Sequence, residues 1–144
     1  MATGDNAVIR RSGCVLTYYA DAAVASSVAS RDLFLPPPGY RLVSIKLSFA
    51  TASASGTVAF RKITDASAPN ASAGSTVIEL LAATTASTAG TANTVVAPAL
   101  TTTASALKFK PGDRLAVNFG GTATSLVGLC IQLEFVPANT YGNN

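Results

Sequence analysis

Between Leu33 and Ile63 the chain reads LFLPPPGYRLVSIKLSFATASASGTVAFRKI, and apolar and polar positions take turns along it. A short apolar run stops at Pro36, Pro37 and Pro38, and Gly39–Tyr40 turns the chain. Val43, Ile45, Leu47 and Phe49 then share one phase, with Ser44, Lys46 and Ser48 on the other. Successive strand side chains point to opposite faces, so this spacing predicts a strand with one buried and one wet face. Residues 50–56 are small and polar and read as a loop. Val58 and Phe60 resume the inward phase, with Thr57, Ala59 and Arg61 outward, which predicts a proline-headed hairpin.

The same signals recur on both sides. Ala7 to Tyr19 is β-branched and aromatic enough for an edge strand interrupted at Gly13. Asp21 to Ser30 has a weak helical face and reads as an extended or irregular lead into Arg31–Leu35. After a loop of turn residues, Thr76 to Leu81 is a short strand. Ala82 to Asn93 carries nothing large enough to bury and reads as a long surface loop. Thr94 to Leu100 is a strand whose proline places it at an edge or bulge. Pro111–Gly112 marks a tight turn before Leu115, Val117 and Phe119, which point inward while Arg114, Ala116 and Asn118 point out. Leu126 to Val136 is the longest strand, with Val127, Leu129, Ile131, Leu133 and Phe135 on one face and Cys130, Gln132 and Glu134 on the other.

About eight short strands separated by turn signals predict an all-β protein. The longer loops between Ile63 and Thr94 suit Greek-key crossovers, so the expected architecture is a jelly-roll β-sandwich of two four-stranded antiparallel sheets. An immunoglobulin-like sandwich ranks second, because tryptophan is absent. The expected division is an N-terminal arm or edge segment over 1–30, the sandwich over 31–138 and a polar tail over 139–144.

Composition narrows the role. The 144 residues suit one domain with a substantial core, yet only 12 % are charged and 49 % are hydrophobic. An average soluble domain carries roughly 25 % charged residues. So sparse a surface fits a component of a larger assembly better than a free enzyme. The net charge of +3 is spread over the chain and forms no dense cationic stripe, so direct nucleic-acid binding is not expected. Cys14 and Cys130 are too few for a disulfide framework and read as reduced, packed thiols. There is no basic start followed by an apolar core, and no apolar run near the roughly 20 residues of a membrane-spanning helix. The expectation is a soluble protein without a membrane partner, folded in a reducing compartment.

Histidine is absent, which removes the commonest general base and metal ligand together. Glu79 and Glu134 lie within strands, but scattered acids are mostly solvated outward positions. Asp113 after Pro111–Gly112 reads as a turn aspartate capping backbone N–H groups. No phosphate-loop, dinucleotide or calcium-loop spacing is present. No catalytic residue, cofactor, metal or small-molecule substrate is expected. Tyr18–Tyr19 beside Arg10–Arg11 is the most interface-like cluster, since tyrosine and arginine are enriched in contact hot spots. The alternative is that one tyrosine packs inward while the other lies flat outside. Arg31 and, in the tail, Tyr141 complete the candidate interface.

The Pro38–Tyr40 entry, the Gly56–Val58 strand start, Ala92–Asn93–Thr94 and the Pro111–Leu115 turn together resemble the jelly-roll capsid decoration (cement) proteins of tailed double-stranded DNA bacteriophages. The resemblance spans Leu33 to Ala138. It implies a non-enzymatic virion protein, folded in the host cytoplasm. As a homodimer or homotrimer it would bind the outer surface of the head and bridge major capsid protein subunits. Related jelly rolls occur in phage tails and fibres, so the alternative is a receptor- or carbohydrate-binding module there.

Overall fold

The computed structural model describes residues 13–68 and 71–138 except 21–29, and its regular secondary structure is almost wholly strand. These are β1 (Cys14–Ala20), β2 (Ser30–Phe34), β3 (Tyr40–Ser48), β4 (Thr57–Ile63), β5 (Val77–Glu79), β6 (Ala86–Ser87), β7 (Arg114–Gly120) and β8 (Leu129–Pro137). One helical turn, α1 (Ala104–Leu107), precedes β7. Two antiparallel sheets pack face to face as a sandwich: β1-β8-β3 in one, and β2-β7-β4-β5 in the other, with β6 also against β4. The split is therefore three and five strands, not four and four.

The alternation fixes which side chains face between the sheets. Leu129, Ile131, Leu133 and Phe135 of β8 are fully buried, as are Leu115 and Val117 of β7 and Phe60 of β4. Ile45, Leu47, Phe49, Val58 and Phe119 join them in one core. Each such side chain stabilises the fold by about 1.5–3 kcal/mol relative to exposure. Phe109, just after α1, meets Phe135 edge-on at 5.7 Å and closes one end of the core.

Several expectations are corrected. β3 and β4 do not form a hairpin: β3 pairs with β8, and β4 pairs with β7 in the opposite sheet. Residues 49–56 carry the chain from one sheet to the other. Val43 is not in the core. The β3–β8 register shifts between Leu42 and Ser44, a β-bulge that turns Leu42 inward and leaves Val43 36 % exposed. Ala59 and Ala116, expected outside, are both buried; Ala116 clusters with Ile63 and Val77 on the outer face of β4 and β7, where Ala71 packs over them. The long 82–93 loop contains β6 and buries Ala86 and Thr88. Thr94–Leu100 is not a continuous strand; it touches the sheets through single bridges, Leu47↔Val96 and Leu81↔Leu100. β8 starts only at Leu129, since Gly128 takes a positive φ and Val127 bridges back to Thr51.

The connection between the sheets is tied by buried polar groups. Ser53 Oγ and Thr88 Oγ1 lie 2.8 Å apart, and Ser53 Oγ accepts the Gly56 N–H at 2.9 Å. Main-chain bonds Ser53 N–H to Thr88 O and Thr88 N–H to Gly56 O complete the knot. A Cβ on Gly56 would collide with both hydroxyl side chains, so the residue before β4 must be glycine.

Candidate interaction surface

β1 ends the three-stranded sheet, and its register with β8 decides what that sheet shows outside. Cys14, Leu16 and Tyr18 pack on the core, so Val15, Thr17 and Tyr19 face out. From β8 the outward residues are Cys130, Gln132 and Glu134, and from β3 they are Ser44, Lys46 and Ser48. Three rows cross the sheet: Tyr19–Cys130–Ser48, Thr17–Gln132–Lys46 and Val15–Glu134–Ser44. The bridge at Val96 adds Val95 along the β3 side.

This face is mostly polar but carries three strongly exposed apolar side chains. Val15 is 54 % exposed, Tyr19 62 % and Val95 70 %. The two charged side chains in these rows, Lys46 and Glu134, sit diagonally on adjacent strands, and no ion pair joins them. A shallow groove of about 180 Å³ runs between Val95, Lys46, Ser48, Cys130 and Gln132. Flat, weakly charged and aromatic at one corner, the face is suited to packing against another protein.

The opposite outer face is already covered. Arg61 Nε donates to Glu79 Oε1 at 2.9 Å, and its Nη1 donates to Ala71 O at 3.1 Å. Arg114 Nη2 donates to the main-chain oxygens of Asp65 and Ser67 at 2.8 and 2.7 Å. These two arginines tie Asp65, Ser67 and Ala71 to the sheet. Hydrogen bonds from the Ser67 side chain and then from its main-chain N–H hold the exposed Asp65 carboxyl below its usual range.

Of the residues singled out from sequence, Tyr18 and Tyr19 divide as strand alternation demands, one on the core and one outside. Arg10, Arg11 and Tyr141 lie outside the described residues, as does the side chain of Arg31, whose backbone pairs with Val117. Asp113 caps its turn: its Oδ2 accepts the Lys110 N–H at 2.8 Å. Glu79 and Glu134 stand on the outer faces of different sheets and so form no carboxylate pair. Cys14 and Cys130 are free thiols on opposite faces of one sheet, opposite Phe135 and Tyr19 respectively. Among the described residues no group of three or more acidic or cysteine side chains could hold a metal ion. Val15 and Val95 were missed in the sequence, because isolated valines carry no mark of exposure. Comparison with family models and with curated proteins finds no match to this chain.

Proposed function

We propose that this protein is a structural component of a tailed-phage virion. In this reading it binds the outer surface of the capsid as a homo-oligomer and cements neighbouring major capsid protein subunits. The observation that carries the reading is the strand order. With the Val96 bridge counted beside β3, one sheet runs β1-β8-β3-Val96 and the other β2-β7-β4-β5. That interleaved order supports a jelly roll, the fold of the proteins that the Pro38–Tyr40, Gly56–Val58, Ala92–Asn93–Thr94 and Pro111–Leu115 stretches resemble.

Fold does not give function, so the surface must supply it. The outer face of the three-stranded sheet offers apolar area with few charges to desolvate. Each such contact is modest, but an oligomer that engages several subunits gains by effective concentration. The test is to mix the purified protein with expanded heads that lack it. Saturable co-sedimentation and a higher temperature of DNA release are expected. Heads that bind no protein and release DNA at an unchanged temperature would remove this reading.

A second reading has one observation in its favour. Tyr19 lies in register beside Cys130, which lines the shallow groove, and an exposed aromatic next to a groove is what a sugar ring stacks on. In that case the protein is a binding module of a tail or fibre. A glycan array separates the two: a specific hit favours the second, and a blank array with head binding favours the first.

A further inference from the structure

At the end of the sandwich, away from the face just described, a groove of about 520 Å³ opens between β4, α1 and the turn before β7. Its floor is Lys62, only 5 % exposed. The Lys62 ammonium donates to Ser105 O at 2.8 Å and Lys108 O at 2.9 Å, and it sits 5.7 Å from the Phe109 ring centroid. An ammonium has three N–H donors, so two carbonyls leave one for the groove. Lys108 and Lys110 line the walls.

The charges here are not balanced. Three lysines face one carboxylate, Asp113, and that carboxylate is engaged in its own turn by the Lys110 N–H. No lysine of the three makes an ion pair with a described carboxylate. Across the bridge from Lys108 stands Arg41, whose Nε is buried without a hydrogen-bond partner. In a chain with only 10 basic residues, three of them line this one groove. Buried cations are normally paired, and burial accordingly lowers the Lys62 pKa, with Asp113 opposing and Lys110 reinforcing that shift.

We propose that this groove binds an acidic protein segment, seating a carboxylate on Lys62 between Lys108 and Lys110. Ile78 and Pro111 give the groove an apolar wall, and Thr64 adds a hydroxyl. A lone phosphate would leave most of this volume empty, since one water takes about 30 Å³ of liquid. A nucleic-acid backbone would meet Asp113 and would find no continuous cationic stripe. A carboxylate with an apolar neighbour fills both the charged and the greasy part. The proposal stands independently of capsid binding.

The experiment is a titration of the isotope-labelled full chain with the capped peptide Ala-Asp-Glu-Leu-Ala-Gly, followed by amide NMR. Its Asn/Gln counterpart and a six-base oligothymidine serve as parallel arms. Saturable shifts confined to 62–64, 78 and 105–113 are expected, with the acidic peptide only. Binding should weaken about tenfold or more in K108Q/K110Q and stay unchanged in K46Q, whose lysine lies on the other sheet. Lys110 is exposed and Lys108 half-buried, so the double variant keeps the fold, which the same spectra report. Absence of saturable shifts, equal binding of the uncharged peptide, tighter binding of the oligonucleotide, or full binding by K108Q/K110Q would each overturn the proposal.

Discussion

Lys62 shows how one side chain can serve packing and charge at once. Its stem lies in the inward phase of β4 after Val58 and Phe60, yet its ammonium reaches two carbonyls of the α1 turn. Lys62→Met keeps the stem and leaves Ser105 O and Lys108 O without their donor. Groove water can reach both oxygens, so the expected loss near neutral pH is about 1 kcal/mol, at the low end for an unmade hydrogen bond. The pH dependence is the sharper test. The folded pKa of Lys62 lies below 10.5, so between that value and 10.5 the unfolded chain binds more protons. Stability contributed at this site therefore rises with pH through that window. Urea unfolding should show the advantage of wild type over Lys62→Met growing on the approach to 10.5. A difference that is flat with pH contradicts the assignment. Nothing in the sequence singled out Lys62. The turn that covers it, with Phe109 buried and Ser105 accepting, has no periodic signature.

Among the elements, alternation identified faces well and partners poorly. Leu115, Val117 and Phe119 of β7 and Leu129, Ile131, Leu133 and Phe135 of β8 were legible as core because period-two spacing follows from strand geometry alone. That β3 joins β8 was not legible, because β4 and β8 present the same alternation and only the sheet-to-sheet course of residues 49–56 decides between them. The bulge at Val43 was hidden too, since one extra residue leaves composition unchanged. Burial of the second face of β4 escaped notice because its cover is Ala71 and a polar loop rather than large apolar residues. That cover depends on arginine. Arg114→Ala removes both bonds to Asp65 O and Ser67 O, at a cost of about 1–3 kcal/mol for charge-assisted bonds partly open to water. Hydrogen exchange should speed up over 64–68 and 71–76 while β7 and β8 stay protected. Equal acceleration across the sandwich would mean that the loop is integral to the core and not held onto it.

For the whole molecule, two free thiols on opposite sides of a sheet make a first check. Cys14 and Cys130 cannot join within one chain, so a reducing agent should leave the melting temperature unchanged at low protein concentration. A drop in melting temperature on reduction would mean that the strand register is wrong.

The adhesive face can be tested without harming the fold, because the charges already on it can be used. Val15 lies directly opposite Glu134, and Val95 lines the same groove as Lys46. Val15→Lys then gains an opposite charge across the strand pair, and Val95→Glu gains one beside Lys46, each favourable by a few tenths of a kcal/mol. Both valines are more than half exposed, so little packing is lost. Melting should shift by no more than about 0.5 kcal/mol in stability. If this face seats on the capsid, the water these added charges must shed on burial and the apolar contacts they replace should weaken head binding about tenfold or more, with the loss in dissociation rate. A variant that melts normally and still binds heads at wild-type strength would move the contact elsewhere on the molecule. A variant that fails on heads and still takes the acidic peptide would separate the two surfaces and give each its own partner.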